Sequence, residues 1–421
     1  MATVAADAPK VMSRAQRNRA RFIGITLLLL AAFVAIVFAS GTEGDATFGL
    51  SRPLDTVQLD PLVVSASGLA WGVAVILAFF GAIQLTRGFG DKATLVLGIG
   101  LLLFVVAFLG WAAAGKSFSL VGMLVSTMVK ATPIALAALA GMISERSSII
   151  NIGIEGMLLS GAFVGVVVGS ITQSGTAGLA AAVATGAVLA AFLAVMSIKY
   201  HVDQIITGVV INLFALGLTS FLTAQILVER PELNDAPIFK AISIPVLGDI
   251  PIVGPVLFNQ TIIVYGMYLL VAGFTIGFFR TRWGLRTRAV SEHPKAADTL
   301  GINVYKMQYL GTIIGGMVAG FGGAYFTLGT VGRFDENMTA GRGFIGLAAM
   351  IFGRWHPVGG LAAALVFGFS DSLAQKLAIL SVPIPSEFLL MAPYVVTIIV
   401  VAGLVGKSRP PAAEGRPYVK E

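Results

Sequence analysis

Long apolar runs alternate with short polar or glycine-bearing breaks along almost the whole chain. A helix that spans a bilayer needs about 20 apolar residues at a rise of about 1.5 Å each. Runs that meet or approach this length lie at 22–39, 65–86, 93–114, 118–141, 150–172, 176–198, 203–228, 261–279, 307–330, 357–379 and 387–406. A further apolar run at 342–353 is only about 18 Å long at that rise. The pattern predicts an all-α, polytopic membrane protein with about 10–12 transmembrane helices. Short or re-entrant segments are expected near 144–163 and 342–353.

Composition agrees with that reading. Charged residues make up 12% of the chain and apolar ones 57%, with a mean hydropathy of +0.90. A soluble domain carries about 25% charged residues to solvate its surface. The apolar run after the basic N-terminus, from Phe22 to Ala39, is long for a signal peptide and is expected to stay as the first span. The chain has no cysteine, so disulfides and cysteine-held metals are excluded. His201, His293 and His356 are far apart and suggest no metal site. Neither an HExxH nor a GxSxG element is present, which argues against an intramembrane enzyme.

The positive charge is a topology signal. Arg14, Arg17, Arg19 and Arg21 crowd the N-terminal tail, with Lys10 before them. Arg280, Arg282, Arg286, Arg288, Lys295 and Lys306 crowd the 280–306 loop, and Lys407, Arg409, Arg416 and Lys420 the C-terminal tail. Basic loops stay in the cytoplasm, so both termini are expected there, and nucleic acid is not expected as a partner. Residues 1–21 and 407–421 read as cytoplasmic tails, 22–115 as additional N-terminal spans, and 116–406 as the membrane domain that bears the motifs.

Three stretches carry candidate chemistry. In "SERSSIINIGIEGMLLSGAF" (144–163), Asn151 and Glu155 are four apart and are expected on one helix face. Gly153 and Gly156 loosen the same stretch, and Gly161, Gly165 and Gly169 form a close-packing ridge. In "GRFDENMTAGRGFIGLAAMIFGRWHPVGG" (332–360), Gly341, Gly343 and Gly346 open a short apolar segment whose free backbone groups can line a cavity. In "SEHPKAADTLGI" (291–302), a short amphipathic helix is expected. Pro294 suits its first turn, Ala296, Ala297 and Leu300 its small apolar face, and Gly301 its end. Ionisable groups inside spans, namely Lys130, Glu155, Asp371 and Lys376, face either a cavity or an ion-pair partner.

Taken together, "ERSSIINIGIEGMLLSGAF", "RAVSEHPKAADTLGI" and "MTAGRGFIGLAAMIFGRWHPVGG" resemble the permease subunits of bacterial ATP-binding-cassette importers. The resemblance is to the simple-sugar and general-nucleoside branch, in the ribose and branched-chain amino acid permease superfamily, and covers roughly 118–406. It implies a permease domain over 116–406 that forms the translocation path for a nucleoside or simple sugar. It also implies coupling to a separate ATPase through the 284–301 loop, with Glu292, Pro294, Ala296, Ala297 and Gly301 as the coupling residues. Asn151, Gly153, Glu155, Gly156, Gly341, Gly343 and Gly346 are then expected to shape and gate the path. The chain would hold no cofactor or metal, since ATP and magnesium sit on the partner. The implied partners are an ATP-binding subunit, a second permease forming a heteromer, an extracytoplasmic substrate-binding protein and membrane lipid. The location implied is the bacterial cytoplasmic membrane. The alternative is an ion-coupled secondary transporter for a small polar solute, using Glu155, Lys130 or Asp371 as coupling group.

Overall fold

A computed structural model describes residues 14–53, 55–380 and 409–420, together with Pro385, Phe388 and Met391. The expected span 387–406 therefore falls almost wholly outside the described residues, as does Lys10. Among the described residues, ten helices are long and apolar enough to cross a membrane. The chain divides into two compact units, Met1–Val121 with Leu377–Ile384, and Gly122–Lys376 with Pro385–Glu421.

In the first unit, α1 (Arg14–Phe33), α2 (Ala66–Thr86) and α3 (Ala93–Ala112) enclose a core of Leu27, Val34, Ala70, Leu77 and Ala107. Phe38, on a π-helical turn after α1, stacks on Trp111 at 5.3 Å and meets Phe104 and Phe108. Buried Gln84 is satisfied at both ends of its amide, donating to the Ala20 carbonyl at 3.2 Å and accepting from Phe89 N–H at 3.0 Å. A buried amide left unpaired would cost more than the bond itself contributes. The connecting segments also form strands that the apolar pattern does not predict. β1 (Asp45–Gly49) pairs antiparallel with β2 (Leu62–Ser65) and parallel with β3 (Ser117–Ser119).

The second unit holds α4 (Leu120–Glu145), α5 (Ile154–Thr172), α6 (Gly175–Ala194), α7 (Gln204–Leu222), α8 (Ile262–Arg280), α9 (Arg282–Glu292), α10 (Pro294–Thr299), α11 (Val304–Phe326), α12 (Arg342–Phe352) and α13 (Pro357–Ile379). A two-residue β4 (Ile242–Ser243) pairs with β5 (Asn259–Gln260) between α7 and α8. Capping side chains start the helices. Asp203 accepts from the N–H groups of Ile205 and Ile206, and Asn303 from that of Lys306.

The centre of this unit is a trio of helices, α5, α6 and α11, whose backbones touch. A Cβ on Gly161 would lie 3.0 Å from the Gly320 backbone, and one on Gly169 would press on Ala236 and Leu328. Gly186 and Gly316 likewise face each other's carbonyls. The expected ridge on α5 is thus a packing surface, as small residues in membrane helices permit. The stretch 144–163 resolves into a turn at 146–153 and the first half of α5, which is itself of spanning length. The short element is α12, with 11 residues.

Loops of this unit gather at two opposite ends. At one end lie the 146–153 turn, α9, α10, residues 353–356 and residues 409–420. Ser148 Oγ donates there to the Val290 carbonyl, and Arg146 Nε to that of Trp355. At the other end the 231–240 segment meets the 327–334 segment, through Ala236 N–H on the Gly332 carbonyl and Asn234 on both polar groups of Phe334.

Candidate functional site

Helix α12 begins with an unusual cap. Its N-cap, Gly341, has φ +78°, a left-handed conformation that costs glycine nothing. No local side chain satisfies the first N–H groups, which any helix leaves free. Glu155 of α5 supplies the acceptors from outside. Its Oε1 accepts from Thr339 Oγ1 at 2.7 Å and from Gly341 N–H at 2.8 Å, and its Oε2 accepts from Gly343 N–H at 2.6 Å. A carboxylate at a helix N-terminus is also favoured by the helix dipole. Gly343 allows the approach, because a Cβ there would lie 2.7 Å from both Glu155 Cα and Glu155 Oε2. Gly346 similarly seats α12 against Ala137 and Ala138 of α4.

The start of α5 is held in the same way by α7. Asn212 Oδ1 accepts from Gly156 N–H at 2.8 Å, and its Nδ2 donates to the Ile152 carbonyl at 2.9 Å. A Cβ on Gly156 would lie 2.8 Å from the Ile211 carbonyl oxygen, and Gly153 packs on the Ile211 side chain. Gly153, Gly156, Gly343 and Gly346 therefore face protein at tight helix contacts, while the space beside Gly341 is open.

Asn151 does not share a helix face with Glu155, contrary to the four-residue spacing. The helix starts only at Ile154, because Gly153 is its N-cap, so Asn151 lies in the preceding turn. It is fully buried there, with Nδ2 3.4 Å from Ser144 Oγ and its Oδ1 without a hydrogen-bond partner. Gln204 braces that turn by accepting from Ile150 N–H at 2.7 Å. Asn212 and Gln204 do not stand out in the sequence, since a lone amide at the start or middle of an apolar run has no periodic signal.

A charged group sits near the N-terminus of α12. Lys130 Nζ of α4 lies 3.0 Å from Asp371 Oδ2 of α13, and Arg342 Nη2 lies 3.9 Å from the same oxygen. Arg342 also covers the Phe326 ring, 5.8 Å from its centroid. One carboxylate thus serves two cations, and removing it leaves them facing each other in a poorly solvated place. Asp371→Asn is expected to lower the detergent melting temperature by about 5 °C or more, and Lys130→Met with Asp371→Leu to recover most of it. Equal melting temperatures for the wild type and Asp371→Asn would show that the cluster is not structural.

The short helix expected within 291–301 is present as α10, over Pro294–Thr299 alone. His293 caps it, its Nδ1 accepting from Ala296 N–H at 3.2 Å, Pro294 opens it and Gly301 ends it at φ +78°. Its apolar residues do not form a single face. Ala297 is 2% exposed and packs on Val290 and Val304, whereas Ala296 is exposed and Leu300 is 80% exposed. Glu292 and Gly301 are exposed and Pro294 partly so. Six residues are too few for the helical period to tell which side will be covered.

Beside α9 is a cationic, aromatic corner. The guanidinium groups of Arg146 and Arg288 lie 5.2 Å and 5.3 Å from the centroid of the Phe279 ring, and His356 stacks on that ring at 4.8 Å. Burial, and then the neighbouring Arg288, bring Arg146 down to about 10, so it keeps its charge at neutral pH. Burial and Arg146 lower His356, which is therefore neutral there. This corner ties the α4–α5 turn and the α12–α13 turn to the base of α9. Among the described residues no group of three or more His, Cys, Asp or Glu is placed to hold a metal ion.

Residues 123–401 match the family model described as branched-chain amino acid transport system / permease component. The chain is 42% identical to the guanosine ABC transporter permease protein NupQ of Bacillus subtilis, over 70% of this chain and 95% of that one. It is 38% identical to the nucleoside ABC transporter permease protein NupC of Lactococcus lactis, with the same coverage. It is 36% identical to the putative glucose ABC transporter permease protein TsgC13 of Haloferax volcanii, over 61% of this chain and 77% of that one. No solved structure matches. With two thirds of its length inside the family match and a bundle of spanning helices built around it, this chain belongs to the permease components of the branched-chain amino acid transport family, in the company of ABC transporter permeases.

Proposed function

We propose that this chain is the permease subunit of an ATP-driven importer for a nucleoside, and that it takes its power from a separate ATP-binding subunit through α9 and α10. The observation that carries the reading is the similarity, over 70% of this chain and 95% of theirs, to relatives named for guanosine and nucleosides. The end of the second unit that bears Arg280, Arg282, Arg286, Arg288, Lys295 and Lys306 is then the cytoplasmic one. A helix cannot grip a partner with a side chain it has already buried, so Ala297 is the inward anchor of α10. Leu300, with Ala296, Glu292 and Gly301 around it, is the outward contact for the ATP-binding subunit. An exposed leucine of this kind is worth about 2 kcal/mol when a partner pocket buries it.

Solute would arrive from an extracytoplasmic binding protein, and a second, different permease would complete the path. Glu155, with Gly341, Gly343 and Gly346, fixes the half-length helix α12, and Asn212 fixes the start of α5. In this reading these residues shape the path by setting the two helix starts. Ion coupling is the weaker reading, since both Glu155 oxygens are occupied by α12 and Asp371 faces Lys130 and Arg342.

The test is reconstitution with an ATP-binding subunit and a substrate-binding protein. Guanosine, other nucleosides and glucose would be offered as solutes, and ATP hydrolysis and uptake read together. Stimulation by a nucleoside and not by glucose is expected. Uptake that persists without ATP and collapses with an ionophore would overturn the reading. Leu300→Asp is expected to lower uptake about tenfold or more while leaving membrane insertion unchanged, as loss of a buried apolar anchor implies. Undiminished uptake in that variant would remove Leu300 from the contact.

A further inference from the structure

The C-terminal segment 409–420 is not a loose tail. It crosses the end of α9, the turn that leads to α5 and α10 at one end of the second unit. Ala413 N–H donates to the Ser291 carbonyl at 2.8 Å, at the end of α9. Gly415 N–H donates to the Ser148 carbonyl at 3.2 Å, in the turn that leads to α5. The Glu414 carboxyl hydrogen-bonds to that of Glu145, which also accepts from Trp355 Nε1. Two carboxyl groups can share a hydrogen bond only if one carries the proton. Burial raises Glu414, and its hydrogen bond to Glu145 acts in the opposite direction. Further on, Tyr418 is 6% exposed and stacks at a tilt on Tyr305, ring centroids 5.3 Å apart. Lys420 Nζ lies 3.3 Å from Asp298 Oδ1 on α10 itself.

These contacts have a common target. Val290, Ala297, Val304 and Tyr418 form a small apolar cluster, and Tyr418 is its one buried member distant in sequence. Helix α10 has six residues, far below the length at which a helix is stable alone. It lies between His293 and a left-handed Gly301, two points where the backbone leaves helical geometry. What α10 packs on therefore decides where Leu300 points.

We propose that the C-terminal segment clasps the coupling element, with Tyr418 and Lys420 as residues that position α10 for force transfer from the ATP-binding subunit. The clasp closes the underside of Ala297 and links α10 through Ser291 and Ser148 to the turn that enters α5. A push on Leu300 then moves α9, α10 and that turn as one body. Without the clasp α10 yields, and ATP hydrolysis is spent without uptake. The exposed Lys420–Asp298 pair adds little stability by itself, so its part is to set register.

The proposal rests on the coupling role of α10, and its test separates the two. The chain has no cysteine, so Asp298→Cys with Lys420→Cys supplies the only thiols. In the full chain in membranes, a short bis-maleimide is expected to close an intrachain link in most molecules. No link would overturn the clasp, whether or not the transport reading holds. In the reconstituted transporter, Tyr418→Ala is expected to keep co-purification with the ATP-binding subunit while uptake per ATP hydrolysed falls about fivefold or more. Lys420→Glu is expected to show a smaller loss, regained in the Asp298→Lys, Lys420→Glu swap. If Tyr418→Ala alters folding, truncation before Pro410 and the charge swap carry the test. Unchanged uptake per ATP in the truncated chain overturns the proposal. A wild-type chain that binds no ATP-binding subunit overturns the functional reading and leaves the cross-link as the measure of the clasp.

Discussion

Glu155→Ala is expected to lower uptake about tenfold or more while the chain still inserts, since three donors at the head of α12 lose their acceptor together. A hydrogen bond to a charged group contributes about 1.5–3 kcal/mol, and a buried donor left unpaired costs about as much again. Thr339 Oγ1, Gly341 N–H and Gly343 N–H all turn to this one carboxylate. Alanine leaves a hole beside Gly343, and the first turn of α12 loses the acceptor that α5 supplies. Glu155→Gln is a graded test. Its amide oxygen can keep the bonds of Thr339 and Gly341, but its NH2 group faces the Gly343 N–H without complementarity. An intermediate loss of uptake is expected, with the same dependence on pH as the wild type. Uptake of Glu155→Ala within about twofold of wild type would remove Glu155 from the positioning of α12. A glutamine variant that transports but no longer responds to a proton gradient would instead assign the residue to ion coupling.

The second large effect belongs to the trio of helices at the centre. A side chain on Gly320 would strike the Ala182 carbonyl and lie 3.1 Å from Val183 Cα. Backbone cannot move aside as a flexible side chain can, so α6 and α11 would have to part along their whole contact. Overpacking of this kind costs about 1–3 kcal/mol where neighbours can shift and more where they cannot. Gly320→Leu is expected to reduce the amount of chain in the membrane about tenfold. Gly273→Leu is the control, because a Cβ at Gly273 meets nothing within 4 Å. Equal amounts of the two variants, measured by immunoblot of washed membranes, would sink the assignment.

Much of this architecture is legible without coordinates. Apolar runs of bilayer length must become helices, because backbone polar groups have no water to turn to in lipid. That requirement fixes the spans, the shortness of 342–352 and the breaks between them. Pro294 and Gly301 likewise mark the ends of α10 by local chemistry alone. The side that α10 buries is not local. Ala297 shares its cluster with Val290, Val304 and Tyr418, the last more than a hundred residues away, and nothing in "PKAADT" distinguishes Ala296 from Ala297.

The same limit separates Asn151 from Glu155. Both are polar residues in an apolar setting, and their spacing suggests one helix face. The tight contact of Gly153 with Ile211, and the hold of Asn212 on the turn, start the helix three residues later and divide them. Glu155 thereby becomes the cap of a helix nearly two hundred residues on. The sequence by itself determined an all-helical membrane bundle, its glycine-packed ridge and the two ends of α10, because these follow from hydropathy, side-chain size and backbone freedom within a few residues. Only the tertiary structure decided what Glu155 holds, which alanine of α10 is hidden and where the C-terminal segment lies. Each of these is a pairing of remote groups, and a buried polar group or an open apolar face takes its partner from whatever the fold brings near.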